Sequence, residues 1–263
     1  MSLRVEDIYN YLDNLAPLKI QEPQDNSGLQ LGSLSSEVKG ILLTVDITKG
    51  VVDFAKAKGL NLIISHHPLL FNPLKCIDID TPKGRLIQSL LSANITVLSW
   101  HTPLDKVEVG VSEAIVRALG FEGRDFITKQ EVNGKIYGLG RVVYLEKSIK
   151  LQDLAKKLKS ATQSWVMLVG EADSSISSFG VCGGSGSFLI SELKALGINT
   201  LITSDVKYHT AKDCEEEGFN LLIIDHGVSE SMVLVELERR LKGVFDPQFD
   251  VVIYREKSPF KIL

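Results

Sequence analysis

The chain contains five histidines, His66, His67, His101, His209 and His226, each at or within a few residues of the end of an aliphatic run. Imidazole is the commonest metal ligand and the side chain best suited to moving protons near neutral pH. Two of the five are adjacent. In Asn61-Leu62-Ile63-Ile64-Ser65-His66-His67-Pro68 an apolar run stops at a His-His pair. Successive strand residues face opposite sides, so if the strand continued the rings would point apart, toward two targets. Two metal ions a few ångström apart would supply those targets. An isolated His-His is more often a buried or surface pair, but here carboxylates recur beside the other histidines. Asp105 follows His101 by four residues, and Glu230 follows His226 by four. Glu230 also has a plainer role, as a favourable negative charge in the first turn of a helix.

His66, His67, Asp105, His226 and Glu230 offer three nitrogens and two carboxylates, a mixed set suited to Zn, Mn or Fe rather than Ca or Mg. Five side chains cannot fill two coordination spheres, so Glu230 would bridge the ions and the open positions would take water. Two divalent ions against two carboxylates leave a positive pocket that attracts a phosphorylated or otherwise anionic substrate. His101 and His209 remain for proton transfer or for orienting the ligands. Asp25 and Asp46 could orient imidazoles, and each is equally a turn or cap residue.

The elements that must position these groups alternate between helix and strand. Val5, Ile8, Leu12 and Leu15 mark an opening helix ended by Ala16-Pro17. Asp25 to Gly32 reads as a turn into a short strand, and Ile41 to Val45 as a strand ending at Asp46. Thr48 caps a helix stopped by Lys58-Gly59, and the strand Asn61 to Ile64 completes a β-α-β unit. Thr81-Pro82 opens a helix through Leu91, followed by a strand, Asn94 to Ser99, that runs out into His101. A helix over about Val111 to Leu119 precedes the polar segment Glu122 to Arg124, the expected boundary between a lobe at 1–124 and one at 125–263.

In the second half, Ile136 to Leu145 reads as a strand or bent strand, and Ser148 as the cap of the next helix. Trp165 to Val169 and Phe179 to Cys182 read as further strands. Gly183 to Ser187 reads as a tight turn into a helix. Gly59-Leu60-Asn61, Gly197-Ile198-Asn199 and Gly218-Phe219-Asn220 each stop a helix and start a strand, an internal echo that suggests two similar α/β halves. A helix over Gly227 to Leu241 and a strand near Val251 to Tyr254 close the chain. This last segment, about 228–263, is expected to pack back on the first lobe.

With 263 residues, 44% of them hydrophobic and a net charge of −4, the chain has the composition of a globular protein. That charge predicts no nucleic-acid or membrane surface, and it does not exclude nucleic acid as a partner. The N-terminus lacks the uninterrupted apolar core of a signal peptide, and no run approaches a membrane span. Cys76, Cys182 and Cys214 are odd in number and unpaired in spacing, which fits a reducing cytoplasm.

Ser65-His66-His67-Pro68-Leu69-Leu70-Phe71, His101-Thr102-Pro103-Leu104-Asp105, Ser204-Asp205-Val206-Lys207-Tyr208-His209 and His226-Gly227-Val228-Ser229-Glu230, with Asp25 to Gly32 before them, resemble the ordered signatures of the Nif-three-like family. Members are often described as GTP cyclohydrolase I type 2 homologues. The resemblance implies two α/β lobes with a dinuclear metal site between them, held by His66, His67, Asp105, His226 and Glu230. It further implies a toroidal homohexamer and hydrolase chemistry on a nucleotide. A two-metal phosphoesterase and a non-catalytic metal-binding assembly protein are the alternatives. Longer members carry a central inserted domain that this chain is expected to lack. Asp225, where many members place glycine, departs from the pattern and puts the local loop shape in question.

Overall fold

The structure, a computed structural model, describes residues 2–245 and 249–262. The chain divides into two compact α/β units, Met1–Leu104 with Leu234–Lys257, and Asp105–Val233 with Ser258–Leu263. Residues 105–124, assigned by composition to the first lobe, therefore group with the second unit.

The first unit runs α1 (Val5–Leu15), β1 (Gly28–Leu31), β2 (Gly40–Thr44), α2 (Lys49–Lys58), β3 (Leu62–Ser65), α3 (Pro82–Ser92) and β4 (Thr96–Ser99), with α4 (Thr102–Asp105) at its boundary. The cap chemistry acts as the sequence predicts. Thr48 accepts from Val51 N, Thr81 accepts from Gly84 N, and Gly59 stops α2 in the left-handed region at φ +68°. β2, β3 and β4 are parallel, and their registers align Thr44 with Ser65 and Ser65 with Ser99. Three strands therefore end side by side, and the residues just beyond, Asp46, His66-His67 and His101, share one edge. In a parallel sheet the carboxyl edge is where ligands bind. Below it, Leu42, Ile63, Val97, Val52 and Leu90 form a buried core of strand and helix side chains.

The second unit runs α5 (Val111–Ala118), β5 (Gln130–Val132), β6 (Lys135–Tyr137), β7 (Arg141–Lys150), α6 (Leu151–Thr162), β8 (Val166–Val169), β9 (Ser175–Ser185), α7 (Ile190–Ala195), β10 (Thr200–Ser204), α8 (Tyr208–Glu216), β11 (Asn220–Ile224) and α9 (His226–Ser231). Its sheet order is β7-β9-β10-β11-β8, parallel across β9, β10 and β11 and antiparallel at both outer pairings. Gly197 and Gly218 turn helices into these strands at φ +73° and +67°. Here too the parallel strands end together, at Ser185, Ser204 and Ile224.

After α10 (Val233–Val244) the chain adds β12 (Asp250–Ile253) beside β2, in parallel. Four local expectations fail. Ile136 to Leu145 is two strands, β6 and β7, in different sheets. Ser148 caps nothing, because it lies inside β7, whose antiparallel pairing with β9 outlasts the apolar pattern. Gly183-Gly184-Ser185 is the end of β9 rather than a turn. The expected helix over Gly227 to Leu241 is two helices, α9 and α10.

Candidate metal centre

In the first unit, β3 ends at Ser65, so the alternation that would have sent His66 and His67 to opposite faces does not extend to them. Instead, the amides of His66 and His67 bond to Thr44 O and Val45 O, and Ser65 Oγ donates to His67 O at 2.7 Å. The rings of His66, His67 and His101 lie with centroids 5.1–5.5 Å apart. Each offers a ring nitrogen within 4.8 Å of the other two. His66 is buried, while His67 and His101 are partly open to solvent.

Every ring in this cluster is held through Nδ1. His66 Nδ1 donates to Trp100 O at 3.1 Å, His67 Nδ1 to Asp46 Oδ1 at 2.8 Å, and His101 Nδ1 to Asp25 Oδ1 at 2.9 Å. A hydrogen on Nδ1 leaves the lone pair on Nε2, the form in which imidazole binds a metal. Asp25 and Asp46 are therefore the orienting carboxylates, and Asp25 is also a turn residue, accepting from Asn26 N and Ser27 Oγ. Burial alone would raise the Asp25 carboxyl. Hydrogen bonds from His101, Thr102 and Ser27, with the His101 charge, outweigh it and hold the group well below the usual carboxylate range.

The second unit repeats the device. Asp225 caps α9 by accepting from Val228 N at 3.0 Å, and Ser258 Oγ donates to its other oxygen. Asp225 thus builds the helix start. His226 and Glu230, one turn apart on α9, approach to 3.0 Å through Nε2, while His226 Nδ1 meets Asp205 Oδ2 at 2.5 Å. Asp205 sits beyond β10 at φ +52°, an uncommon conformation for a residue with a side chain, and Ser185 Oγ also bonds it. Burial pulls the His226 pKa down, but Glu230 and then Asp205 outweigh it and push it up to about 9.

Gly184 completes the arrangement. It adopts φ +66°, its amide donates to Ser229 Oγ, and a Cβ there would stand 2.4 Å from Glu230 Oε1. The chemistry of these donors fits a divalent transition ion: imidazole nitrogens on rings fixed through Nδ1, and a buried carboxylate.

Residues 3–259 match the Duf34/NIF3 (NGG1p interacting factor 3) family. The chain belongs to that family. A Clostridium acetobutylicum protein named GTP cyclohydrolase 1 type 2 homolog is 36% identical over 244 residues, 92% of this chain and 91% of that one. A Clostridium perfringens protein of the same name is 34% identical over 263 residues, 99% and 100% of the two chains. Among solved structures, a Staphylococcus aureus hypothetical protein superposes with TM-score 0.92 at 27% identity, covering 100% of both chains.

Within this Duf34/NIF3 chain the nominated residues are placed unevenly. His101, set aside from sequence for proton transfer, lies in the same cluster as His66 and His67. Asp105 ends α4, and its charge, with that of Glu230, acts on buried Cys182. Burial first, and those carboxylates second, hold that thiol well above its usual range, so Cys182 is neutral and offers no thiolate. His209 lies exposed in the first turn of α8, against the Tyr208 ring. Sequence reasoning gave Asp205 no role. Its signal was present: it follows the last residue of β10, as Asp46 closely follows β2.

Proposed function

We propose that this chain is a hydrolase dependent on two divalent transition ions, Zn, Mn or Fe, and acts on a small nucleotide-like anion. One observation carries the reading: four histidines each have Nδ1 fixed on an oxygen, and three of them bring ring nitrogens within 4.8 Å of one another. The ligands in this reading are His66, His67, Asp105, His226 and Glu230. The name carried by the Clostridium relatives makes ring opening of a purine nucleotide the first form to test.

Bound ions would supply Lewis-acid polarisation of the attacked centre and of water. The protein's own part is orientation and proton transfer. Asp25, Asp46 and Asp205 fix the imidazoles, so little reorganisation is needed when an ion or substrate arrives. His101, backed by the Asp25 carboxylate, takes a proton from the attacking water at Nε2 and returns it to the leaving nitrogen or oxygen. His209, exposed on α8, has no part in this reading.

The test is elemental analysis of the purified chain, followed by turnover with GTP after loading with Mn, Fe or Zn. Formate release supports ring opening. Free phosphate instead assigns the site to a phosphoesterase, and no turnover with any ion reduces the chain to a metal-carrying protein.

A further inference from the structure

The second unit has a cavity of about 490 Å³ on the Asp205 side of His226. That is within the usual range for small-molecule sites. Trp165, Val206, Ile223 and Phe260 form its apolar walls, and Asp205 and His226 the polar one. The Trp165 and Phe260 rings stand nearly perpendicular, 86° apart with centroids at 6.5 Å. Two polar groups on this wall are unspent. Asp205 takes His226 and Ser185 on Oδ2, and among the described residues no bond is made to Oδ1 of this half-exposed carboxylate. Trp165 Nε1, although buried, has no acceptor among the described residues.

We propose that this cavity binds the planar heteroaromatic part of the substrate, a nucleobase-like ring with an N–H edge. The inference rests on the hydrolase reading above and deepens it by naming where the non-reacting part is held. The ring stacks on Trp165, its N–H edge donates to Asp205 Oδ1, and the Phe260 ring, perpendicular to Trp165, borders its rim. A ring of this kind matches the site better than an aliphatic chain does, because it alone satisfies both an aromatic wall and a carboxylate acceptor. His226 then works at both its edges: Nε2 turns toward Glu230, while the flank of the ring borders the bound base.

The chain has two tryptophans, Trp100 and Trp165. Trp100 is 1% exposed and bonded to Ala16 O, so it serves as an internal reference. The experiment titrates metal-free protein with guanosine and adenosine, which lack phosphate, and reads tryptophan fluorescence. Saturable quenching is expected, lost in Trp165→Phe. Phe260→Ala, on the exposed tail, should weaken nucleoside binding about tenfold or more by this readout, and Trp165→Ala should do the same by equilibrium dialysis, the scale of one base–aromatic stack. In the loaded protein, Phe260→Ala should raise KM by a similar factor and leave kcat within about twofold.

An unchanged signal up to millimolar nucleoside, or turnover with unaltered KM in Phe260→Ala, would overturn the assignment while leaving hydrolysis intact. Saturable binding without turnover by any loaded form would do the reverse. If Phe260→Ala changes the oligomeric state and nucleosides do nothing, the cavity is a contact between copies and the proposal falls.

Discussion

Asp25, Asp46 and Asp205 bear most directly on what the histidines can do. Each holds an Nδ1, and none is nominated as a ligand, so each acts through the ring beside it. Replacing Asp205 by Asn keeps the shape and removes the charge. It should weaken metal binding about 10- to 100-fold, measured by competition with a chromophoric chelator, while the melting temperature of the metal-free chain moves little. Asp25 also makes a prediction about acid. Its carboxyl is lowered in the folded protein, so its contribution to stability is complete above the unfolded carboxylate pKa and disappears as pH falls through the lowered folded value. Asp25→Asn should therefore be less stable than the parent at neutral pH, with the gap closing below about pH 3. Urea midpoints measured at several pH values check this. A constant gap would show that the hydrogen bonds matter and the charge does not.

Among the elements, the end of β9 has the clearest consequence. Gly183-Gly184-Ser185 runs beside α9 with no room for a side chain at Gly184, where a Cβ would crowd the Glu230 carboxylate. Gly184→Ala adds strain at a positive φ and pushes on Glu230 together, so metal retention should fall by more than stability does. Inductively coupled plasma analysis set against a thermal melt separates the two effects. A loss of melting temperature with full metal content would make Gly184 a packing residue only. Deeper in the same unit, Phe179 is fully buried in the core of α5, α6 and the sheet. Phe179→Ala should cost about 3–5 kcal/mol, read from denaturant unfolding.

For the whole chain, metal and stability are linked. An ion that binds the folded form and not the unfolded one adds stability in proportion to the logarithm of its concentration over its dissociation constant. Zn or Mn at about a hundred times that constant should add about 2.7 kcal/mol, and EDTA should remove it. Calorimetry before and after chelation tests this; identical melts would argue against a structural metal of any kind. The homohexamer implied by the family resemblance is checked by light scattering, where a mass of one or two chains would remove it from the reading. Among the described residues no helix is long and apolar enough to cross a membrane.

What the sequence alone determined was local in origin. Apolar periodicity, the caps Thr48 and Thr81-Pro82, and the stops at Gly59, Gly197 and Gly218 are short-range physics, and they were enough for an alternating α/β chain with histidines at strand ends. The misreadings have non-local causes. β7 continues past its apolar stretch because β9 supplies partners, and the Gly-rich segment is a strand end because β10 lies beside it. Only the tertiary structure decided which carboxylate serves which imidazole. Asp25 is 76 residues from His101 and Asp205 is 21 from His226; antiparallel pairing that sets the start of β1 beside the end of β4 brings the first pair into contact, and the parallel strands β10 and β11, which end together, the second. Distance along the chain conceals such pairs, since a hydrogen bond depends on where strands stop side by side and leaves no periodic trace in the sequence between them.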